Sequence, residues 1–244
     1  MLHVYAIVDS VRFGIIPGEG HEAGDIVPAP CGAFAAAVSA SSAGAIAPTP
    51  QNVWRHERVL ERLMRDHTVL PLRFGTICRD ADALKEYVLG SADLYRNDLG
   101  RVRGKVEIAL RIADRVPSVQ TGEPVAAEPD AANDHEPAGR GAAYLRTRLQ
   151  RLRNDTAREG RGKELEQLLR RHLGALLKDV LCAPRADSAA GYAVSCLVER
   201  DGVAAFSGAL NGFRGKHPQF EITCTGPWAP YSFVAMPPFS GGAP

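Results

Sequence analysis

The sequence predicts an α+β protein of two domains. Three observations carry this. Short runs rich in β-branched and aromatic residues are interleaved with helix-period segments, in one set before residue 114 and a second set after residue 140. Between the sets lies a stretch with Pro, Glu and Asp and almost no large apolar residues; it cannot bury enough surface to offset its ordering entropy. A chain of 244 residues, 45% hydrophobic and 23% charged, suits one large domain or two small ones. The expected organisation is an N-terminal domain over 1–114, a disordered linker over 115–140 and a C-terminal domain over 141–244.

The run LHVYAIV (2–8) reads as a buried first strand. Residues 11–30 are rich in Gly and Pro and read as loop, and CGAFAAAVSA (31–40) reads as a strand. In 49–67, Val53, His56, Leu60, Leu63, Met64 and His67 fall on one helical face, with Arg and Glu on the other. Thr49 suits the cap and Pro50 the first helical position. TVLPLRF follows as a strand, which Pro71 places at an edge or a strand start. Residues 80–100 read as a second helix with Leu84, Val88 and Ala92 on a face. Residues 101–112 alternate as a half-buried strand.

After the linker, 142–181 reads as a long helical segment, bent or divided near Gly160 and Gly162. GYAVSCLVE (191–199) is a strand. Val203, Phe206, Leu210 and Phe213 mark a helix, and QFEITCTG (219–226) alternates as a strand. The first set is compatible with a ferredoxin-like sheet layered with two helices. The second is a small α/β sheet domain with a long helical segment.

Net charge is +1, so the whole-molecule field favours neither nucleic acid nor an acidic surface. Cys31, Cys78, Cys182, Cys196 and Cys224 are odd in number and widely spread; the expectation is reduced, mostly buried thiols in a cytosolic protein rather than a zinc site or disulfide framework. The start has no basic region of a signal peptide, and no stretch approaches the ~20 apolar residues of a membrane span. REGRGKE (158–164) fails as a phosphate loop, because Ala157 stands where a glycine is needed and Glu164 where a hydroxyl is needed. Residues 140–178 carry eleven Lys or Arg against four Asp or Glu. With only Tyr144 to stack on a base, a solvated face or an acidic protein partner fits this segment better than RNA. The seven histidines contain no H-x-x-x-H pair, and a packing role is expected for His56 and His67. No catalytic constellation is evident, so no enzyme, cofactor or metal is expected.

Two segments stand out. In VLPLRFGT (69–76), Arg73 offers a planar fork of donors beside Phe74, Gly75 permits a turn, and Thr76 follows it. In GPWAPYSF (226–233), Gly226 precedes aromatics held stiff by Pro227 and Pro230: Trp228, Tyr231 and Phe233. Trp228 is expected to pack on its own C-terminal domain and Tyr231 to stand nearer the surface as a contact residue.

Taken together, MLHVYAIV, HERVLERL, VLPLRFGT and TGPWAPYSFV resemble the gas vesicle protein GvpF/GvpL family, from Met1 to about Val234 apart from the linker. Ala229 departs from the pattern, since relatives often carry a second proline there. The resemblance implies two α+β domains, the first a ferredoxin-fold variant, and an accessory role in assembling the gas vesicle. It implies binding of the small hydrophobic shell protein and of sibling accessory proteins, location at the gas vesicle in the cytoplasm, and no nucleic acid, membrane, cofactor or catalysis. The alternative is a ferredoxin-like regulatory module that binds a small ligand in a closed pocket with convergent polar groups.

Overall fold

A computed structural model describes residues 1–115, 138–188, 191–235 and 237. In chain order the elements are β1 (Leu2–Val8), β2 (Val27–Cys31), β3 (Phe34–Ala40), α1 (Pro50–Met64), β4 (Val69–Pro71), β5 (Ile77–Cys78), α2 (Ala81–Gly90), α3 (Ala92–Val102) and β6 (Lys105–Asp114). Then come α4 (Ala138–Leu173), β7 (Asp179–Pro184), β8 (Gly191–Glu199), α5 (Val203–Lys216) and β9 (Phe220–Trp228). The expected linker falls on residues outside those described, except that α4 already begins at Ala138.

The chain divides into two compact units that are not consecutive stretches. One is Met1–Ile108 with Leu197–Val203 and Gly226–Pro244; the other is Ala109–Cys196 with Ala204–Thr225. The assignment of 226–244 to the C-terminal domain is therefore corrected. The reason is burial: Ala229 and Phe233, each 2% exposed, sit in apolar clusters made by residues of the first unit.

In the first unit the sheet order is β2-β3-β1-β4, with β5 also on β1. β1 pairs antiparallel with β3 from Leu2↔Ala40 to Val8↔Ala35, with an irregularity between Val4 and Ala6. That bulge lets Tyr5, Ala6 and Val8 pack with Val59, Leu60, Leu63 and Met64 of α1, while Val4 and Ile7 pack with α2 and α3 residues Leu84, Val88, Tyr95 and Leu99. β1 is thus buried on both faces, which accounts for its unbroken apolar run. Two features differ from the expected ferredoxin-like layering: a hairpin, β2–β3, precedes the first helix, and helices cover both faces of the sheet. β2 was expected to be loop because of Pro28 and Pro30. It is a strand at the sheet edge, where a missing N–H costs no ladder bond. The helix expected over 80–100 is two, broken at Ser91, and Asp80 caps the first by accepting from the Ala83 N–H at 2.8 Å.

The second unit uses Phe206, Leu210 and Phe213 of α5 and Leu165, Leu169 and Leu173 of α4 as core. The glycines of α4 do not divide it. Gly162 is buried against Tyr192 of β8, where a Cβ would stand 3.4 Å from the ring, so its small size serves close approach. The helix ends instead at Gly174, whose φ of +53° gives a left-handed stop. Residues 179–181, expected to end the helical segment, belong instead to β7. A second sheet has the order β7-β8-β6-β9.

Candidate functional site

Near the end of β9 the chain turns sharply, and the residues from Gly226 onward pack within the first unit. Gly226 adopts φ +117°, and a Cβ there would meet the Glu107 carbonyl at 2.9 Å, so only glycine fits without displacement. Beyond it, residues 231–233 form one turn of 3-10 helix. Buried Glu107 receives both the Ser232 N–H at 2.8 Å and the Ser232 hydroxyl at 2.7 Å. Buried Asp98 receives the Ala235 N–H at 2.7 Å. The Tyr87 hydroxyl donates to the Pro237 carbonyl at 2.9 Å. Phe233 is buried with the Arg101 guanidinium 5.8 Å from its ring centre. Two carboxylates taken out of water are thus satisfied by tail donors, a costly arrangement to break.

This docking brings Trp228 beside α1. Thr49 caps that helix, accepting from the Asn52 N–H at 3.3 Å, and Pro50 opens it. With His56, Val59, Leu60, Leu63 and Met64 buried, the helical period turns Trp54 outward, 60% exposed. The Trp54 and Trp228 rings lie 6.5 Å apart between centres and inclined at 49°. They share a groove of about 360 Å³ whose charged rim is Glu57, Arg58, Glu61, Arg65 and Arg200. A second hollow of about 320 Å³, lined by Val53, Trp54, Glu57, Trp228 and Tyr231, shares both tryptophans. The Tyr231 hydroxyl donates to Glu57 at 2.8 Å. Burial raises the Tyr231 pKa, reinforced by the Glu57 charge, so the phenol stays protonated as a donor. Burial likewise raises the Glu57 carboxyl, and the Tyr231 bond offsets part of that.

The predicted residues are distributed differently from expectation. Pro227 and Trp228 line the groove, Tyr231 lines its neighbour, Pro230 and Phe233 are buried, and Gly226 makes the turn. Trp228 and Tyr231 are both half-buried, Tyr231 held by Glu57 and Trp228 forming a groove wall, while Phe233 is the buried residue of the tail. The other motif does not join them. Arg73 is exposed, and its carbonyl, rather than its guanidinium, closes the turn by accepting from the Thr76 N–H at 3.1 Å and the Thr76 hydroxyl at 2.7 Å. Gly75 supplies φ +81° in that turn. Phe74 faces inward, 6.0 Å from His3 and 5.8 Å from His56 between ring centres.

Trp54, Glu57, Glu107 and Asp98 were not foreseen. A signal existed for Trp54: it stands with Arg58, Glu61 and Arg65 on the polar face of α1, where a large apolar ring has no core to enter. None existed for Glu107 and Asp98, whose partners are more than a hundred residues away. Among the described residues no group of three or more His, Cys, Asp or Glu is placed to hold a metal ion. No helix among them is long and apolar enough to cross a membrane. An open aromatic groove with a rim of both charge signs suits the apolar side chains of a partner.

Residues 1–235 match the family described as gas vesicle synthesis protein GvpL/GvpF. The chain is 29% identical to gas vesicle protein L of a Streptomyces species over 194 residues, covering 74% of this chain and 68% of the relative. It is 28% identical to gas vesicle protein F of the same organism over 206 residues, covering 83% and 85%. The fold is similar to the crystal structure of GvpF from Microcystis aeruginosa, with a TM-score of 0.69 at 18% identity, covering 96% of this chain and 99% of that one.

Proposed function

This chain belongs to the GvpL/GvpF family of gas vesicle synthesis proteins, and from that premise we propose that it acts in gas vesicle formation as a non-enzymatic assembly factor. Its groove between Trp54 and Trp228 takes apolar side chains of the small shell protein and shields them before the subunit adds to the growing wall. Sibling accessory proteins are its other partners. The observation that carries the reading is Trp54: a tryptophan 60% exposed on an otherwise charged helix face, opposite a second tryptophan that the tail is locked down to present. Paired aromatics of this kind are typical anchors of protein contacts.

A photo-crosslinking amino acid in place of Trp54 tests this. With purified shell protein added, the crosslink is expected at position 54 and not at Leu89, an exposed apolar residue on α2 that is absent from the groove. Equal crosslinking at both positions would remove the groove as the docking site.

A further inference from the structure

A separate surface, independent of the groove, lies on α4. From residue 148 to 157 every residue of this helix is exposed. About three helical turns therefore stand exposed, a length that is marginal in water on its own, before contacts resume at Arg158, which donates to the Arg185 and Ser188 carbonyls at 2.7 and 2.9 Å. Leu149 and Leu152 are 53% and 56% exposed. At the helical period, Leu149, Leu152 and Thr156 fall within an arc of about 60°. Arg148 and Arg153 border that arc on its two sides, Asp155 lies beyond Arg148 as the one acidic residue of this exposed stretch, and Arg151 lies on the far side. None of these three arginines has an ion-pair or hydrogen-bond partner among the described residues.

We propose that this face docks an acidic amphipathic helix of a protein partner, its apolar stripe on Leu149 and Leu152 and its carboxylates against Arg148 and Arg153. Charge selects this occupant. A second copy of α4 running antiparallel can match leucine to leucine only by setting Arg148 against Arg153. A register that pairs Arg148 with Glu159 instead sets Leu152 against Asp155. RNA needs stacking aromatics between the basic residues, and the described part of this face offers none beyond Tyr144. A membrane-surface helix needs a wider apolar face.

The test uses the full chain and a fluorescein-labelled helical peptide of about 20 residues, with leucines at three- and four-residue spacing and Glu at the flanking positions. Its control has Lys for every Glu. Anisotropy is expected to show the Glu peptide binding at least about tenfold more tightly than the Lys peptide. Leu149→Ser/Leu152→Ser should weaken it about tenfold, and so should Arg148→Glu or Arg153→Glu. Arg151→Glu, the same charge change on the far side, should stay within about twofold. Circular dichroism confirms that each variant keeps its helix content. The proposal is overturned by an equal loss at Arg151 and Arg153, by binding indifferent to the leucine pair, or by absence of binding at about 100 μM peptide. It is equally overturned by tighter, leucine-independent capture of poly(U) RNA or phosphatidylglycerol vesicles, or by a dimer in sedimentation that the leucine pair abolishes.

Discussion

Phe233→Ala is expected to destabilise the protein by about 3–5 kcal/mol, the usual cost of truncating a buried aromatic. The ring is 2% exposed and packs in the cluster that holds Val4, Ile7, Leu84, Val88 and Leu99. Its loss also weakens what holds the tail in register, so Glu107 and Asp98 risk losing the donors that satisfy them. Tyr231→Phe is the contrast. It removes one hydroxyl bond to Glu57 and keeps the ring, for a loss of about 1–2 kcal/mol. Urea denaturation followed by circular dichroism measures both. If Phe233→Ala costs no more than Tyr231→Phe, the tail is not anchored through Phe233.

Acid is expected to destabilise the first unit through two buried histidines. His3 is 1% exposed and neither of its ring nitrogens has a hydrogen-bond partner among the described residues; His56 is fully buried, with Nε2 3.1 Å from the Leu72 carbonyl. Their rings lie 5.4 Å apart between centres, with Tyr5 and Phe74 around them. Burial, then the neighbouring His56 and His21, push His3 down from 6.5 to about 3; burial pushes His56 down to about 4. Both are neutral in the folded protein at neutral pH. Below pH 6.5 the unfolded chain binds protons that the folded chain refuses, so this stability is present above pH 6.5 and is lost as pH falls toward 4. The slope is about 1.4 kcal/mol per pH unit for each histidine. His3→Phe removes one titrating group together with its two unsatisfied ring nitrogens. It should keep stability at pH 7.5 and flatten the decline between pH 6 and 4.5 by about half. A variant declining as steeply as the parent would show that His3 does not carry the dependence.

Much of the first unit was legible in the sequence because its signals are local. The run 2–8 is a strand covered on both faces, and the spacing of His56, Leu60, Leu63 and Met64 marks the inner side of α1. Errors arose where local chemistry and tertiary position disagree. Pro28 and Pro30 break a central strand but suit an edge, and edge position is not written in residues 27–31. The leucines after Gly174 continue the period of α4, yet a left-handed glycine ends the helix and β7 follows. The site was half legible. The aromatic tail was identified as the notable segment, but which unit it docks on depends on Glu107 and Asp98, residues that read as ordinary solvated carboxylates until the fold brings the tail to them.

Trp54 and Trp228 together form the proposed receiving surface for the gas vesicle shell protein. Titration of purified shell protein against the full chain and its Trp54→Ala variant tests this most directly. Trp54 is 60% exposed, so its truncation spares the core, and the melting temperature should shift by no more than about 2 °C. Affinity for the shell protein is expected to fall at least about tenfold, the loss of roughly 1.4 kcal/mol expected of an interface anchor. Undiminished affinity in a folded Trp54→Ala variant would contradict it.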